Sequence, residues 1–316
     1  MLVWEDKQAL IIKTKNPDRI LNVLPSAKHF KVKGNPLVAV PHKTRETVAL
    51  RHLGFNAPAP IRTYYEWSGQ YTPFQAQKEA AAFLSTHKRA FNLSELGTGK
   101  SLASLWAYDY LKSVGQLNKA LVVSPLSTLE RTWADELFNH FPHLTFGVLH
   151  GTRKKRLQLL EQDYDVYIIN HDGVKIIEPY IKHRRDIDLV IVDEVAQCAR
   201  NAGTTKWKAI NTVVNRHIEP RACWAMTGTP TPNNPTDAWA QCRLVSPSNV
   251  PPYFGRFKTQ VMKQLTQFQW IARPEATEIV RNVMQPAVRF TRDECLDLPP
   301  VMFETRSVQL TTEQNK

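Results

Sequence analysis

The chain predicts an α/β protein, a three-layer unit on a mostly parallel sheet preceded by a small α+β unit. Three observations predict it. Short apolar runs, each closing on a polar or turn-forming residue, recur at residues 120–125, 166–170, 189–193 and 223–228. Strands of that kind are buried on both faces, as in a parallel sheet covered by helices. Amphipathic helical patterns separate these runs, and before residue 60 the pattern is different.

Residues 8–15 and 36–40 have the composition of short strands, and residues 43–53 space their apolar positions for a helix that stops before Gly54. This gives a compact unit over 1–60. Residues 56–61, Asn-Ala-Pro-Ala-Pro-Ile, carry two prolines that cannot continue a helix and read as the connector. The larger unit is expected over 61–297. Two helix starts are legible beyond the connector. Ser127 with Glu130 makes a capping box, and Asn234 followed by Pro235 reads as a cap with proline in the first helical position.

Composition narrows the function. Lysine and arginine outnumber the acids 41 to 29, for a net charge of +12, which suits a partner that carries phosphates. The start of the chain lacks the basic and apolar pattern of a secretory signal, and no apolar run reaches the ~20 residues of a membrane span. A cytoplasmic protein of a prokaryote or of a virus in its host is expected, or a nuclear one in a eukaryote, with no membrane partner. Cys198, Cys223, Cys242 and Cys295 lie far apart without zinc-ligand spacing and read as reduced, mostly buried side chains.

Residues 91–101, Phe-Asn-Leu-Ser-Glu-Leu-Gly-Thr-Gly-Lys-Ser, form a strand, a glycine turn and a helix start. Gly97 and Gly99 let the backbone curl so that successive amides, with that of Thr98, face a phosphate at the positive end of the helix. Lys100 reaches the β- and γ-phosphates and the Ser101 hydroxyl can ligate magnesium, so ATP and Mg are the expected cofactors. The generic phosphate-loop pattern asks for glycine where this chain has Ser94. The bland alternative is an incidental Gly-Lys-Ser turn.

The apolar run 189–192 ends in Asp193 and Glu194, which suits a magnesium carboxylate and a group that polarises the attacking water. With Lys100 they form the expected catalytic set. Residues 225–234, Ala-Met-Thr-Gly-Thr-Pro-Thr-Pro-Asn-Asn, follow another apolar run. Their hydroxyls and amides, at Thr227, Gly228, Thr229, Asn233 and Asn234, can sense the γ-phosphate and relay its loss. The alternative here is a polar strand-to-helix turn.

In this order these segments resemble the first motor lobe of Swi/Snf-type, superfamily-two helicases and DNA translocases. Thr-Gly-Thr-Pro-x-x-Asn-Asn with Asp237 and Trp239 is similar to motif III, and residues 95–101 to the phosphate loop. Residues 121–129 with Trp133 are similar to motif Ia. Motif II resembles Asp193-Glu194-Val195-Ala196, where the family usually ends in histidine, so Ala196 departs from the pattern that couples ATP turnover to DNA. Residues 71–77 resemble the opening motif, in which the glutamine at the position of Gln75 contacts adenine. The resemblance spans residues 64–316; the amino-terminal unit more loosely resembles accessory domains of annealing helicases, which would bind nucleic acid.

The resemblance implies a RecA-like fold and a DNA-dependent ATPase or translocase acting on duplex or branched DNA. It places DNA near Ser124, Pro125, Ser127, Thr128, Arg131, Asn170, His171 and Asp172, with Arg200 and Asn201 as a further pair. Hydroxyls, amides and a helix start suit phosphate contacts that position without reading sequence. The basic clusters 153–156 and 182–185 are further contacts or simply a solvated face. Residues 298–316 resemble the start of the link to a second RecA-like lobe, whose absence leaves this chain expected to turn over ATP very slowly. The competing readings are a non-catalytic DNA-binding module with a residual ATP site, and a different P-loop enzyme.

Overall fold

The computed structural model describes residues 1–32, 34–215 and 220–295. The segment expected to lead toward a second lobe, 298–316, lies outside the described residues. The amino-terminal part forms an antiparallel sheet from β1 (Leu2–Trp4), β2 (Ala9–Lys13), β3 (Lys28–Val32) and β4 (Asn35–Pro41), in the order β1-β2-β4-β3. Alternation along the strands sends Leu10, Ile12, Val38 and Val40 to one face. There they pack with Ile20 of α1 (Asp18–Leu21) and Leu50 of α2 (Thr44–His52), forming a core of their own.

After the short α3 (Ile61–Tyr64), the chain builds a three-layer fold. Its elements are α4 (Gln75–Ser85), β5 (Arg89–Asn92), α5 (Lys100–Ser113), β6 (Lys119–Ser124), α6 (Asp135–His140), β7 (Phe146–Val148), α7 (Arg153–Leu160), β8 (Val166–Asn170) and α8 (Val174–Ile181). They continue through β9 (Ile187–Val192), α9 (Val195–Cys198), α10 (Thr205–Asn215), β10 (Ala222–Met226), α11 (Asp237–Val245) and α12 (Phe254–Val261). The hairpin β11 (Met262–Gln264) and β12 (Trp270–Ala272) leads to α13 (Ala276–Val283), β13 (Ala287–Val288) and α14 (Arg292–Cys295). The seven-stranded sheet has the order β13-β5-β10-β9-β6-β8-β7, with every pairing parallel. Among the described residues no helix is long and apolar enough to cross a membrane.

The central strands feed both apolar layers, which explains their unbroken apolar runs. Ala120 and Val122 of β6 pack with Leu105, Trp106 and Trp133 on one side; Leu121 and Val123 pack with Ile177, Val213 and Val245 on the other. Cys198, Cys223 and Cys242 are buried in the second layer and Cys295 is half-buried, all as free thiols. Burial pushes the thiols of Cys198 and Cys242 up to about 12.

The two expected helix starts differ from expectation. Ser127 lies in a 3-10 turn, and its side chain caps nothing. Pro125 O instead receives both the Thr128 amide, at 3.2 Å, and the Thr128 hydroxyl, at 3.1 Å. A wide π-helical turn over Leu129–Ala134 then precedes α6. Likewise α11 begins at Asp237 rather than Pro235. The Asp237 carboxylate accepts the Asn233 amide at 3.0 Å and Asn234 Oδ1 accepts the Thr236 amide at 3.0 Å, closing a turn before the helix.

Candidate nucleotide site

The carboxyl ends of β5, β9 and β10 deliver three segments to one edge of the sheet, where open α/β folds bind ligands. After β5, Gly97 and Gly99 adopt φ of +84° and +76°, backbone that side chains rarely tolerate. At Gly99 the approach is also close, since a Cβ would lie 2.1 Å from Gln77 Nε2. Among the described residues no hydrogen bond engages the amides of Gly97, Thr98 or Gly99, and the first-turn amides of α5 have no intrahelical acceptor. The loop is therefore a cradle of free donors at a helix start, the arrangement that suits a phosphate.

Lys100 begins α5 and is buried, with Nζ donating to Glu95 O at 3.0 Å. Burial lowers its pKa, while Glu194 and Asp193 oppose that shift. Ser101 follows in the first turn, half-buried. Thr98 Oγ1 donates to Glu95 O at 2.8 Å and ties the two ends of the loop.

Asp193 is buried at the end of β9. Trp133 Nε1 donates to its Oδ2 at 3.0 Å and the Glu194 amide to its Oδ1 at 2.9 Å, yet burial still raises its pKa. Glu194 sits at φ +45° and is raised by burial and then by Asp193, with Lys100 and Thr227 opposing. A buried and a half-buried carboxylate thus face one nearby ammonium. A hard divalent cation bound between them and phosphate oxygens fits that charge deficit, with Asp193 and the Ser101 hydroxyl as its protein donors.

The segment after β10 touches both of the others. Thr227 is fully buried; its hydroxyl donates to Glu194 Oε2 at 3.3 Å and accepts the Thr229 amide at 3.2 Å. Gly228 packs on the phosphate loop, where an added Cβ would stand 3.4 Å from the Leu96 amide. Asn233 and Asn234 lie farther along the turn, held by Asp237.

Other residues singled out from the sequence are placed as follows. Gln75 is exposed at the start of α4, donating to Glu79 at 2.7 Å. Gln77, two residues on, reaches the phosphate loop through Nε2 to Thr98 O at 3.4 Å, while its Oε1 accepts the Phe74 amide. Ser127, Arg131, Arg200 and Asn201 are exposed, Pro125, Thr128 and Asn170 are half-buried, and Ser124 and His171 are buried. His171 Nε2 bonds the Asp193 carbonyl at 2.8 Å, so its ring is an internal link beneath the acidic pair. Arg156 of the basic cluster is also internal, donating to Leu149 O, Gly151 O and Asn170 Oδ1. Asp172 is exposed and pairs weakly with Lys206 at 3.8 Å. Ala196 is buried in α9.

Three contributors were not legible in the sequence. Glu136 in α6 has Oε2 enclosed without a hydrogen-bond partner among the described residues. Its carboxyl is pushed up to about 8 by burial and then by Asp193. The returning stretch 286–292 lies alongside β5 and the phosphate loop. Phe290 N donates to Ser94 Oγ at 3.1 Å and Arg292 Nε donates to Leu96 O at 2.7 Å, which gives the serine at the expected glycine position a partner. Trp133 as a donor to Asp193 is the third, and only a buried tryptophan's need for an acceptor could have hinted at it.

With this geometry in hand, comparison with known proteins identifies the family. The family model of the SNF2-related domain matches residues 76–316. The chain belongs to the SNF2-related domain family. Its fold is that of the SWI2/SNF2 ATPase core from Sulfolobus solfataricus solved with dsDNA, at a TM-score of 0.59 and 21% identity over 72% of this chain and 46% of that one.

Among curated relatives, a putative protein p41 of Acyrthosiphon pisum secondary endosymbiont phage 1 is 26% identical over 55% of this chain and 39% of its own length. The uncharacterized ATP-dependent helicase MG018 of Mycoplasma genitalium is 25% identical over 70% of this chain and 20% of its own. The ISWI chromatin-remodeling complex ATPase ISW1 of Saccharomyces cerevisiae is 26% identical over 57% and 16%. The chain matches less than half the length of each of these relatives.

Proposed function

We propose that this chain is the ATP-binding lobe of a DNA-dependent ATPase that moves along or remodels duplex or branched DNA. The observation that carries the reading is the meeting of a free-amide phosphate loop, the Asp193–Glu194 pair and Thr227 at one sheet edge. In this reading Lys100 exchanges the Glu95 carbonyl for phosphate oxygens, and Gln75 or Gln77 faces the base side of the loop. Ser101 and Asp193 would hold magnesium, which neutralises phosphate charge when bound. Glu194 orients and deprotonates water at the γ-phosphate. Because Thr227 bonds Glu194 and its segment packs on the loop, loss of the γ-phosphate shifts Thr227 through Asn234 together.

DNA phosphates would run along the other strand ends, past the exposed Ser127 and Arg131 and the half-buried Thr128, with Pro125, Asn170, Arg200 and Asn201 nearby. Ser124 and His171 would act from beneath that track. A solved relative was captured with dsDNA, which supports a duplex partner. Full turnover would need a second RecA-like lobe, since a cation completing the γ-phosphate site is worth roughly 10³–10⁵ in rate in other P-loop enzymes.

The test is phosphate release with and without duplex DNA, by wild type and Lys100→Ala, alone and with a second motor lobe supplied. DNA-stimulated release that needs Lys100 supports the reading. Salt-sensitive DNA binding with no nucleotide affinity would instead favour a DNA-binding module with a residual ATP site, which the alanine at position 196 already makes the second reading.

A further inference from the structure

The amino-terminal sheet has two faces, and helices cover only one. On the open face, cross-strand pairing aligns Leu2 with Ile11, Ala39 and Lys28 in one row, and Lys13 with Leu37 and Phe30 in the next. Trp4 stands beside them, paired with Ala9. These side chains are not a hidden core. Leu2 is 66% exposed, Trp4 47% and Val32 47%, on a unit whose own apolar core lies on the other side.

The charge of this unit is strongly one-sided. Residues 1–60 hold ten lysines and arginines against four acids, a net of +6, half of the whole chain's +12 in a fifth of its length. Lys13 and Lys28 rise from the open face itself, and both are exposed. Among the described residues neither forms an ion pair.

An apolar face set among unpaired lysines fits a ligand that has both a negative backbone and flat apolar surfaces to lay down. A nucleic-acid duplex presents the first but keeps its base faces stacked inside. An unpaired strand presents both, and aromatic side chains on a positively charged platform are the means by which proteins take it. An apolar protein partner would leave the charge unexplained.

We propose that the open face of the β1-β2-β4-β3 sheet binds single-stranded nucleic acid, with bases stacked on Trp4 and Phe30 and phosphates held by Lys13 and Lys28. The face is separate from the phosphate loop, so this inference stands or fails independently of ATP turnover.

The experiment is fluorescence anisotropy of a labelled 20-nucleotide oligothymidine and of a 20-base-pair duplex, without nucleotide. The proteins are wild type, Trp4→Ala/Phe30→Ala, Trp4→Phe and Lys13→Ala/Lys28→Ala, each checked by circular dichroism and light scattering. The aromatic pair variant is expected to lose at least about tenfold in affinity for the single strand while its duplex affinity changes less than about twofold. Trp4→Phe retains stacking and is expected to stay within about threefold of wild type. The lysine pair variant is expected to lower the salt slope for the single strand by more than one.

Unchanged single-strand affinity in the folded aromatic variant overturns the proposal. So does an equal loss for strand and duplex, which would mean general charge attraction. A wild-type dimer that the aromatic substitutions convert to monomer would assign the face to a second copy of the chain and overturn it as well.

Discussion

Around Asp193, burial governs what each side chain does. The Glu136 carboxyl is pushed up to about 8, above its ordinary value of 4.5. The folded state therefore keeps a proton that the unfolded chain has released, and stability falls as pH rises from about 4.5 through about 8. Glu136→Gln keeps the shape without the ionisable group. It is expected to flatten that slope and to raise stability at pH 8.5 by on the order of 1–3 kcal/mol relative to wild type, read by urea unfolding at pH 6 and 8.5. Trp133→Phe keeps the ring and deletes one donor to Asp193. In a magnesium titration of fluorescent-nucleotide binding, it should raise the magnesium concentration needed by roughly three- to tenfold, with magnesium-free affinity unchanged. Thr227→Val removes the hydroxyl bonded to Glu194. Hydrolysis is expected to fall about tenfold or more while nucleotide affinity holds within about twofold, because in the proposed reading the contact serves the reacting water rather than the phosphates. If affinity fell in parallel with rate, Thr227 would belong to the binding cradle instead.

At the scale of elements, the phosphate loop is held from both sides. Gln77 of α4 presses on Gly99, and Arg292 at the start of α14 donates to the Leu96 carbonyl. Gly99→Ala meets both a left-handed backbone and the Gln77 amide, and should cost about 1–3 kcal/mol and abolish nucleotide binding. The loop itself was readable because its glycines, lysine and serine are fixed in spacing by the chemistry of phosphate. The clamp was not readable, because β13 is only two residues long and carries no periodic signal. The helix starts at Ser127 and Asn234 were misplaced for a related reason. Asn234 spends its side chain on a turn, Ser127 sits in a 3-10 turn that leads into a π-helical one, and a π-helical turn leaves no pattern in the sequence distinct from an α-helical one.

For the whole molecule, the amino-terminal sheet is joined to the larger unit by a small polar seam. Arg51 Nε donates to Ala57 O at 2.9 Å and Nη1 to Thr86 Oγ1 at 2.9 Å, while His42 bridges Tyr64 OH and Pro58 O. Arg51→Ala is expected to loosen this seam by roughly 1–3 kcal/mol, and calorimetry should show the amino-terminal unit melting separately from the larger one. A single transition at the wild-type temperature would show that apolar packing alone holds the two together. The strands of the central sheet and the order of motifs could be read from residue order alone, because burial on two faces demands unbroken apolar runs and phosphate chemistry demands particular side chains at short spacings. Which buried groups meet around Asp193 and why a serine suits the position of a glycine depend on contacts such as Trp133 with Asp193 and Phe290 with Ser94, 60 and 196 positions apart, and which sheet face stays open depends on how α1 and α2 pack on the strands of the first unit. Such contacts leave no local pattern, so only the assembled tertiary structure decides them.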